Sequence, residues 1–183
     1  NISLPYSLQR FEVDASLTSN QYQTFSNFDY TAQNYSAAWH WGFTPHLHGS
    51  LTTARAEKLN AAFDSLNPTL RNKHTSNTSA LNAIYELGGP WQLNAGLSST
   101  SNVNERAVIG PGDTRTNAYN VGAQYALASG SSIGYSLQNG TGSNTNDFST
   151  TNQTISGLWT ITPTTALNAH ITAVEQRYPA TPQ

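Results

Sequence analysis

Three histidines lie within nine residues of the sequence, at His40, His46 and His48. Imidazole nitrogens are common zinc ligands, so such a cluster first suggests a metal site. The chain contains no cysteine, and no Asp or Glu occurs between Asp29 and Glu57, so the ligand set is short. His40 and His48 also fall on one side of a two-residue alternation. We therefore interpret them as wall residues of a hydrated surface, and we predict no metal and no cofactor.

A pair of carboxylates offers the second candidate chemistry. Glu12 and Asp14 would lie about 7 Å apart on one face of a strand, near the spacing of an inverting glycosidase pair. Arg10 can neutralise this pair, and charges of both signs are ordinary in the lumen of a barrel. The sequence contains no Ser/His/Asp set, phosphate loop or dinucleotide fingerprint. We therefore predict that the protein is not an enzyme, and that these charges bias which solutes pass.

The composition leaves few classes of protein open. Hydrophobic residues make up 37% of the 183 residues and charged residues only 10%, well below the charge of an average soluble domain. The net charge of −2 gives no basic surface for nucleic acid. No apolar run approaches the 18 residues of a membrane helix. A disordered polar tract, a soluble β protein and an outer-membrane β-barrel remain.

The order of the residues predicts antiparallel strands. From Tyr35 to Phe43 the odd positions are apolar and the even positions are small or polar, which is the pattern of a strand with one apolar face. We expect about nine such strands. Short turns are predicted near residues 45, 89, 130 and 164, and long polar loops at 19–27, 55–76, 99–116 and 139–147.

The sorting of short and long connections is typical of outer-membrane barrels, whereas the connections of soluble sandwiches do not sort by side. We therefore predict an all-β fold, an antiparallel transmembrane (outer-membrane) β-barrel, over residues 1–183. Nine strands is an odd number, and the sequence of residues 178–183, YPATPQ, does not continue into a partner strand. We favour a fragment of a larger barrel over a complete barrel of eight or ten strands.

The alternation assigns side chains to two environments. Neutral hydroxyls and amides facing a lumen can exchange hydrogen bonds with sugar hydroxyls without holding them tightly, as conduction requires. The predicted lumen-lining residues are Glu12, Asp14, His40, His48, Asn82, Glu86, Gln92, Asn94, Asn120, Gln124, Gln138, Asn168 and His170. The aromatic residues predicted at the membrane interface near the short turns are Trp39, Trp41, Phe43, Tyr85, Trp91, Tyr125 and Trp159. A second aromatic group is expected toward the long loops, at Tyr6, Phe25, Phe28, Tyr30 and Tyr178.

Several stretches resemble one known family. They are QRFEVDASLTSNQYQTFSNFDYTAQNYSAAWHWGFTPHLHGSL at residues 9–51, WQLNAGL at 91–97 and LWTITPTTALNAHI at 158–171. The sequence resembles the EpsL-type outer-membrane β-barrel proteins of exosortase-associated exopolysaccharide biosynthesis loci in Gram-negative bacteria. The resemblance implies a porin-like conduit that passes polysaccharide or small hydrophilic solutes through a lipid bilayer, with periplasmic export machinery as a partner. The loops at 54–76 and 101–116 match no pattern of that family.

A different class of function also fits the abundance of Asn, Ser and Thr. The chain would then be an extracellular surface or filament β protein with a structural or adhesive role. Solubility without detergent discriminates this alternative from the barrel.

Overall fold

A computed structural model describes residues 2–6, 8–24, 26–60, 71–106, 112–143, 147–162 and 164–178. Within these ranges, ten strands form one sheet, and a 3-10 helix occupies Ser26–Phe28. The strands are β1 (Ile2–Tyr6), β2 (Gln9–Asn20), β3 (Tyr30–Thr44), β4 (Leu47–Leu59), β5 (Lys73–Glu86), β6 (Trp91–Asn104), β7 (Thr114–Ala126), β8 (Ser132–Ser143), β9 (Asp147–Thr162) and β10 (Thr165–Arg177). No helix in this described part is long and apolar enough to cross a membrane.

The sheet is an antiparallel meander in which each strand pairs with the next along the chain. The all-β, antiparallel fold predicted from the alternation is therefore confirmed. Nine long strands of 12 to 16 residues follow the short β1. β1 was not foreseen, because it has only five residues and includes Pro5. In the described ranges β1 and β10 form the two edges and do not pair, so the sheet is open.

The register keeps two faces separate across the whole sheet. Side chains that are paired across antiparallel strands point to the same face. Trp39 pairs with Phe11 and Leu51, whereas His40 pairs with Arg10 and Ser50. We call the face that holds Trp39 the apolar face and the face that holds His40 the polar face.

The register around the first short turn was predicted in part. Gly42 pairs with His48, as expected. Thr44 rather than Phe43 pairs with Leu47, so the predicted partner of Phe43 is wrong. Phe43 is the extra residue of a β-bulge, and the turn contains only residues 45 and 46.

The short connections all lie at one end of the sheet. Three of them occupy residues 45–46, 87–90 and 127–131, and the turn centres expected near 45, 89 and 130 fall inside them. The centre expected near 164 lies between the end of β9 at Thr162 and the start of β10 at Thr165. Gly88, Gly89 and Gly130 have φ values of 77°, 85° and 83°. Side chains rarely adopt this left-handed conformation, so glycine suits these turns.

Three of the four long connections are shorter than the sequence pattern predicted. β4 ends at residue 59 and β5 begins at 73, β6 ends at 104 and β7 begins at 114, and β8 ends at 143 and β9 begins at 147, so the loops predicted at 55–76, 99–116 and 139–147 were too long. The first connection has the predicted length but lies at 21–29 instead of 19–27.

The strands continue beyond the apolar alternation with hydroxyl and amide side chains on both faces; for example, Thr100 pairs with Thr116 on the polar face and Ser99 with Asn117 on the other. Backbone hydrogen bonds stabilise these extended strand ends even though they have no alternating apolar residues. The sequence pattern therefore could not predict how far the strands continue.

The described residues form almost no apolar core. Their buried hydrophobic residues are Ala32 and Trp41, at 4% and 8% exposure. The accessible surface is 12595 Å², whereas a compact monomer of this length would expose about 8,600 Å². Leu93, Val121 and Ile171 are 40%, 48% and 79% exposed. The apolar face therefore lies open along a single layer of sheet.

Candidate functional site on the two faces of the sheet

The polar face collects every side chain that was predicted to line a lumen. Register pairs such as Ser50 with Asn82, Gln92 with Gln124 and Ser156 with His170 connect these positions across the sheet. The full set on this face is Glu12, Asp14, His40, His48, Asn82, Glu86, Gln92, Asn94, Asn120, Gln124, Gln138, Asn168 and His170.

Carboxamide side chains dominate the middle of the polar face. One row runs across β5 to β9 through Asn82, Gly96, Asn120, Gln138 and Asn152. Asn152 Nδ2 donates a hydrogen bond to Gln138 Oε1 at 3.2 Å. We define the carboxamide track as the seven amide residues Asn82, Gln92, Asn94, Asn120, Gln124, Gln138 and Asn152. Asn152 is the only member that was not among the predicted lumen residues.

Glycines make room for these amides. A Cβ built at Gly96 would overlap Asn120 Oδ1 and would lie 2.7 Å from Asn82 Oδ1, and a Cβ at Gly122 would lie 2.7 Å from Asn94 Oδ1. On the apolar face, a Cβ at Gly157 would have no neighbour within 4 Å. At these three positions the polar face is therefore the crowded one.

Charge divides the polar face into two sectors. On β6 to β10 this face carries no Asp, Glu, Lys or Arg within the described strands. The charged sector begins at β2, where Arg10 Nε lies 2.8 Å from Glu12 Oε1. His40 Nε2 lies 3.9 Å from Glu12 Oε2. Arg10 therefore pairs with Glu12, as the sequence suggested.

Two of the three clustered histidines lie on the polar face, and the third lies in the turn. His40 pairs with Ser50 and His48 pairs with Gly42, so the two imidazoles are diagonal neighbours, as the register predicted. His46 lies in the turn. The part of the chain that the structure describes contains no group of three or more His, Cys, Asp or Glu residues that could hold a metal ion.

The predicted interface aromatics lie on the apolar face or in the adjoining bulge, toward the short connections. Trp91 and Tyr125 meet edge to face at 5.0 Å, and Phe11 stacks on Trp39 at 5.9 Å. Trp39 Nε1 also donates a hydrogen bond to Gln9 Oε1 at 3.0 Å. The set comprises Trp39, Trp41, Phe43, Tyr85, Trp91, Tyr125 and Trp159.

Trp41 differs from the other aromatics, because it is 8% exposed while Trp159 is 68% exposed. Phe43 packs on Trp41 with ring centroids 4.7 Å apart. The indole also covers Gly49, where a Cβ would lie 2.5 Å from Trp41 Cζ2. A glycine opposite the indole therefore lets Trp41 lie flat on the sheet.

The apolar face changes character partway along each strand. On β6 the apolar positions run from Trp91 to Leu97, about 20 Å along the strand, and Ser99 and Ser101 follow them. Tyr35 and Tyr119 mark the far boundary of this apolar band, at 46% and 50% exposure. The band is thus bordered by aromatic residues on both sides.

The predicted second aromatic group does not form this boundary. Phe28 lies in the long connection and packs edge to face against Tyr22 at 6.5 Å. Tyr178 follows β10 and contacts Phe148 at 6.4 Å. Phe25 and the side chain of Tyr6 lie outside the described residues. Tyr30 begins β3 at the same end of the sheet as Phe28 and Tyr178, so these three lie toward the long connections, as predicted, but beyond the apolar band. Tyr6 ends β1 beside Gln9, at the end of the short connections, so its predicted position is wrong.

Beyond the apolar band, a buried carboxylate joins β3 to β4. Backbone pairing of these strands ends at Tyr35 and Arg55. Past that point, Gln33 N donates to Glu57 Oε2 at 2.9 Å, and Glu57 N donates to Asn34 Oδ1 at 2.7 Å. Two side chains therefore continue the hydrogen bonding where the two backbones separate.

Glu57 is compensated by two cations. Its side chain is 1% exposed, and its Oε1 accepts hydrogen bonds from Arg55 Nε and Lys73 Nζ, each at 3.2 Å. Burial alone would raise the pKa of Glu57. The bonds from Arg55, from the backbone N–H of Gln33 and from Lys73 outweigh burial and lower this pKa from 4.5 to about 2. The carboxylate is therefore ionised at all physiological pH values.

A second polar cluster connects the long connections to each other. Asn72 is 1% exposed; its Nδ2 donates to Arg106 O at 3.1 Å, and its Oδ1 accepts from Arg106 N at 2.9 Å. Arg71 pairs with Glu105 at 2.9 Å and donates to Asp29 O at 3.2 Å. The hydrogen bond from Arg71 lowers the pKa of Glu105. This end of the sheet is held by polar contacts that the sequence did not suggest.

Comparison with known protein families, with curated proteins and with solved structures finds no match to this chain.

Proposed function

We propose that this chain forms part of the wall of an outer-membrane β-barrel in a Gram-negative bacterium. We further propose that the barrel is a porin-like conduit for extracellular polysaccharide. The observation that carries the proposal is the single-layer sheet with one continuous apolar face and one crowded polar face. Hydrocarbon is a suitable cover for the apolar face, because large apolar patches are rare on proteins that are surrounded by water.

The connections and the aromatic borders support the same orientation. Short turns on one rim, longer connections on the other, and aromatic residues at the edges of an apolar band are features of bacterial barrels. Three of the four connections on the second rim are longer; the exception joins β8 to β9, which are separated by three residues. The proposed barrel would place residues 45–46, 87–90, 127–131 and 163–164 at the periplasmic rim. The polar clusters around Glu57 and Asn72 would then lie at the outer rim, in water.

Crossing a bilayer requires that both free edges find partners, because unpaired N–H and C=O groups are costly in hydrocarbon. β1 and β10 run in opposite directions, since ten strands alternate along the meander. β1 and β10 could therefore pair with each other as antiparallel neighbours, or through further strands added in pairs, and all short turns would stay on one rim. The even number of strands thus supports a closed barrel.

The polar face supports a role in conduction. It presents hydroxyls and amides that can exchange hydrogen bonds with a hydrated solute. The resemblance of residues 9–51 to EpsL-type proteins supports polysaccharide as the solute and periplasmic export machinery as the partner.

One observation favours a second candidate. All 13 residues of β10 are exposed, and its outer edge is unpaired within the described chain. Exposed edges promote edge-to-edge association, as in a surface filament. This candidate predicts a chain that assembles in buffer without detergent, whereas the barrel requires lipid or detergent.

Reconstitution in planar bilayers tests the proposed conduit. The full-length protein should insert and give stepwise ionic conductance, and a candidate polysaccharide should reduce that conductance reversibly. Filaments in detergent-free buffer, together with no conductance at any protein concentration, would contradict the proposal and support the second candidate.

A further inference from the structure

We propose that the carboxamide track is a binding surface for uncharged oligosaccharide chains and discriminates against acidic ones. The inference rests on the proposed conduit and names the chemical class of solute that the polar face recognises. The track crosses β5 to β9, which is about 19 Å at the usual strand spacing. A surface of this length contacts several consecutive sugar units.

The functional groups on the track match sugar hydroxyls. Each carboxamide offers two N–H donors and one carbonyl acceptor, and a sugar hydroxyl can act as donor and as acceptor. The amide oxygens of Asn82 and Asn120 converge over Gly96, and that of Asn94 lies over Gly122. Because these glycines lack side chains, the amides lie close to the sheet and form a continuous polar surface.

The amide groups of the track do not satisfy all of each other's hydrogen-bonding capacity. Asn152 Nδ2 donates to Gln138, but Asn152 Oδ1 is buried and has no hydrogen-bond partner among the described residues. A buried polar atom of this kind calls for a partner. The amide torsion of Asn is broad, so a small rotation can present this oxygen to a hydroxyl donor.

The absence of cations decides the class of sugar. The polar face of β5 to β10 has no Lys or Arg within the described strands, and the charged residue paired with the track is an anion, Glu86 opposite Gln92. The cations of this face lie on β2 and β4, at Arg10, which is paired with Glu12, and at Lys58. A uronic acid on the track would lose part of its hydration without gaining a cation, which is unfavourable. An uncharged sugar exchanges one set of neutral hydrogen bonds for another and has no such cost.

Binding to the folded full-length protein in detergent tests this inference directly. Maltohexaose is the uncharged probe and hexagalacturonate is the acidic probe, each titrated by calorimetry and by saturation-transfer NMR. We expect maltohexaose to bind and hexagalacturonate to bind at least about tenfold more weakly. Equal or tighter binding of hexagalacturonate, or binding of neither sugar, overturns the inference.

Variants locate the binding to the track. Asn120→Ala should weaken maltohexaose binding by about threefold to tenfold, the effect of losing one or two hydrogen bonds. The double variant Gln124→Lys/Gln138→Lys should reverse the preference and bind hexagalacturonate. Asn168→Lys is the matched control, because it adds a cation to the same face outside the track. An equal gain of hexagalacturonate binding in this control would contradict the assignment of the site.

Conductance separates the two proposals. If the protein conducts ions but binds neither sugar, the proposed conduit stands and the proposed sugar-binding role of the carboxamide track is wrong. If the protein binds maltohexaose in detergent but never conducts, the role of the track stands and the proposed conduit is wrong. Circular dichroism of each variant confirms that the β-sheet has formed before binding is compared.

Discussion

The two faces of β6 are packed in the opposite sense from those of a strand in a soluble protein. Leu93 and Leu97, on the apolar face, are 40% and 58% exposed. Gly96, on the polar face, is enclosed by the amides of Asn82 and Asn120. A soluble antiparallel sheet packs its apolar face on a core and opens its polar face to water. On β6, therefore, close packing belongs to the polar side chains, and the apolar face needs a cover from outside the sheet.

The largest expected effect comes from placing a charged side chain on each face of the sheet in turn, which tests whether the two faces differ in environment. Leu93→Arg and Val121→Arg should block assembly in lipid vesicles, since an arginine facing lipid costs about 2 to 4 kcal/mol near the midplane. Gln124→Arg should assemble normally, because it faces the polar side. The folded fraction, measured by gel mobility without heating, reports assembly. Equal tolerance of Leu93→Arg and Gln124→Arg would contradict the two-faced assignment.

The buried carboxylate gives the next largest effect. Glu57→Gln removes the anion between Arg55 and Lys73 and should destabilise the junction of β3 and β4 by about 3 kcal/mol, as the lowered pKa implies. Hydrogen exchange at the Gln33 and Glu57 amides measures this loss. Glu175→Gln is the control, because the Glu175 side chain is 58% exposed in its pair with Arg177 and should change exchange little.

Acid should reproduce the effect of Glu57→Gln. The folded pKa of Glu57 is depressed from 4.5 to about 2, so its contribution is fully present above pH 4.5 and is lost as the pH falls toward 2. Exchange protection at the junction of β3 and β4 should therefore decline across this window in the natural protein. The same pH change should have a smaller effect in Glu57→Gln. A decline of equal size in both proteins would show that another group is responsible.

Glycines on opposite faces sharpen the contrast in packing. Gly96→Ala should cost about 1 to 3 kcal/mol, because the new methyl group overlaps the Asn82 and Asn120 amides. Gly157→Ala meets no neighbour within 4 Å and should be neutral or stabilise the fold by up to about 1 kcal/mol. Urea unfolding in detergent micelles compares the two variants. A larger cost at Gly157 than at Gly96 would contradict this difference in packing between the two positions.

The smallest effect concerns two adjacent cross-strand pairs. Trp91 pairs with Tyr125 on the apolar face, and Gln92 pairs with Gln124 on the polar face. A double-mutant cycle to alanine should give a coupling of about 1 kcal/mol for the aromatic pair. The same cycle for the glutamines should give less, because water replaces their hydrogen bonds. Equal couplings would argue that the two faces share one environment.

The sequence predicted the features that depend on alternation. Apolar side chains at every second position specify strands, faces and register, because a slip of one residue would exchange the two faces. Gly88 and Gly89 marked a turn because their backbone conformation excludes most side chains. The pairing of Gly42 with His48 followed from these signals alone.

Features without periodicity could not be predicted. β6 continues past Leu97 through Ser99 and Ser101, where no alternating apolar residues predict a strand. Glu57 lay inside a predicted loop, and the closeness of Lys73 to Glu57 depends on the register of β4 with β5. The role of Gly96 was hidden for a similar reason, since only the lateral pairing reveals the amides on both sides. An isolated Arg-x-Glu at Arg55 was the only local signal of the buried ion cluster.

The most direct test of the central claim is to measure the surroundings of successive side chains in a bilayer. The chain contains no cysteine, so single cysteines introduced at residues 91 to 98 can each carry one spin label. In lipid vesicles, the account predicts that oxygen accessibility peaks at Trp91, Leu93, Ala95 and Leu97. Accessibility to a water-soluble nickel chelate should peak at the positions between them. A uniform profile along β6, or one with the two peaks exchanged, would contradict the claim that lipid covers one face and water the other.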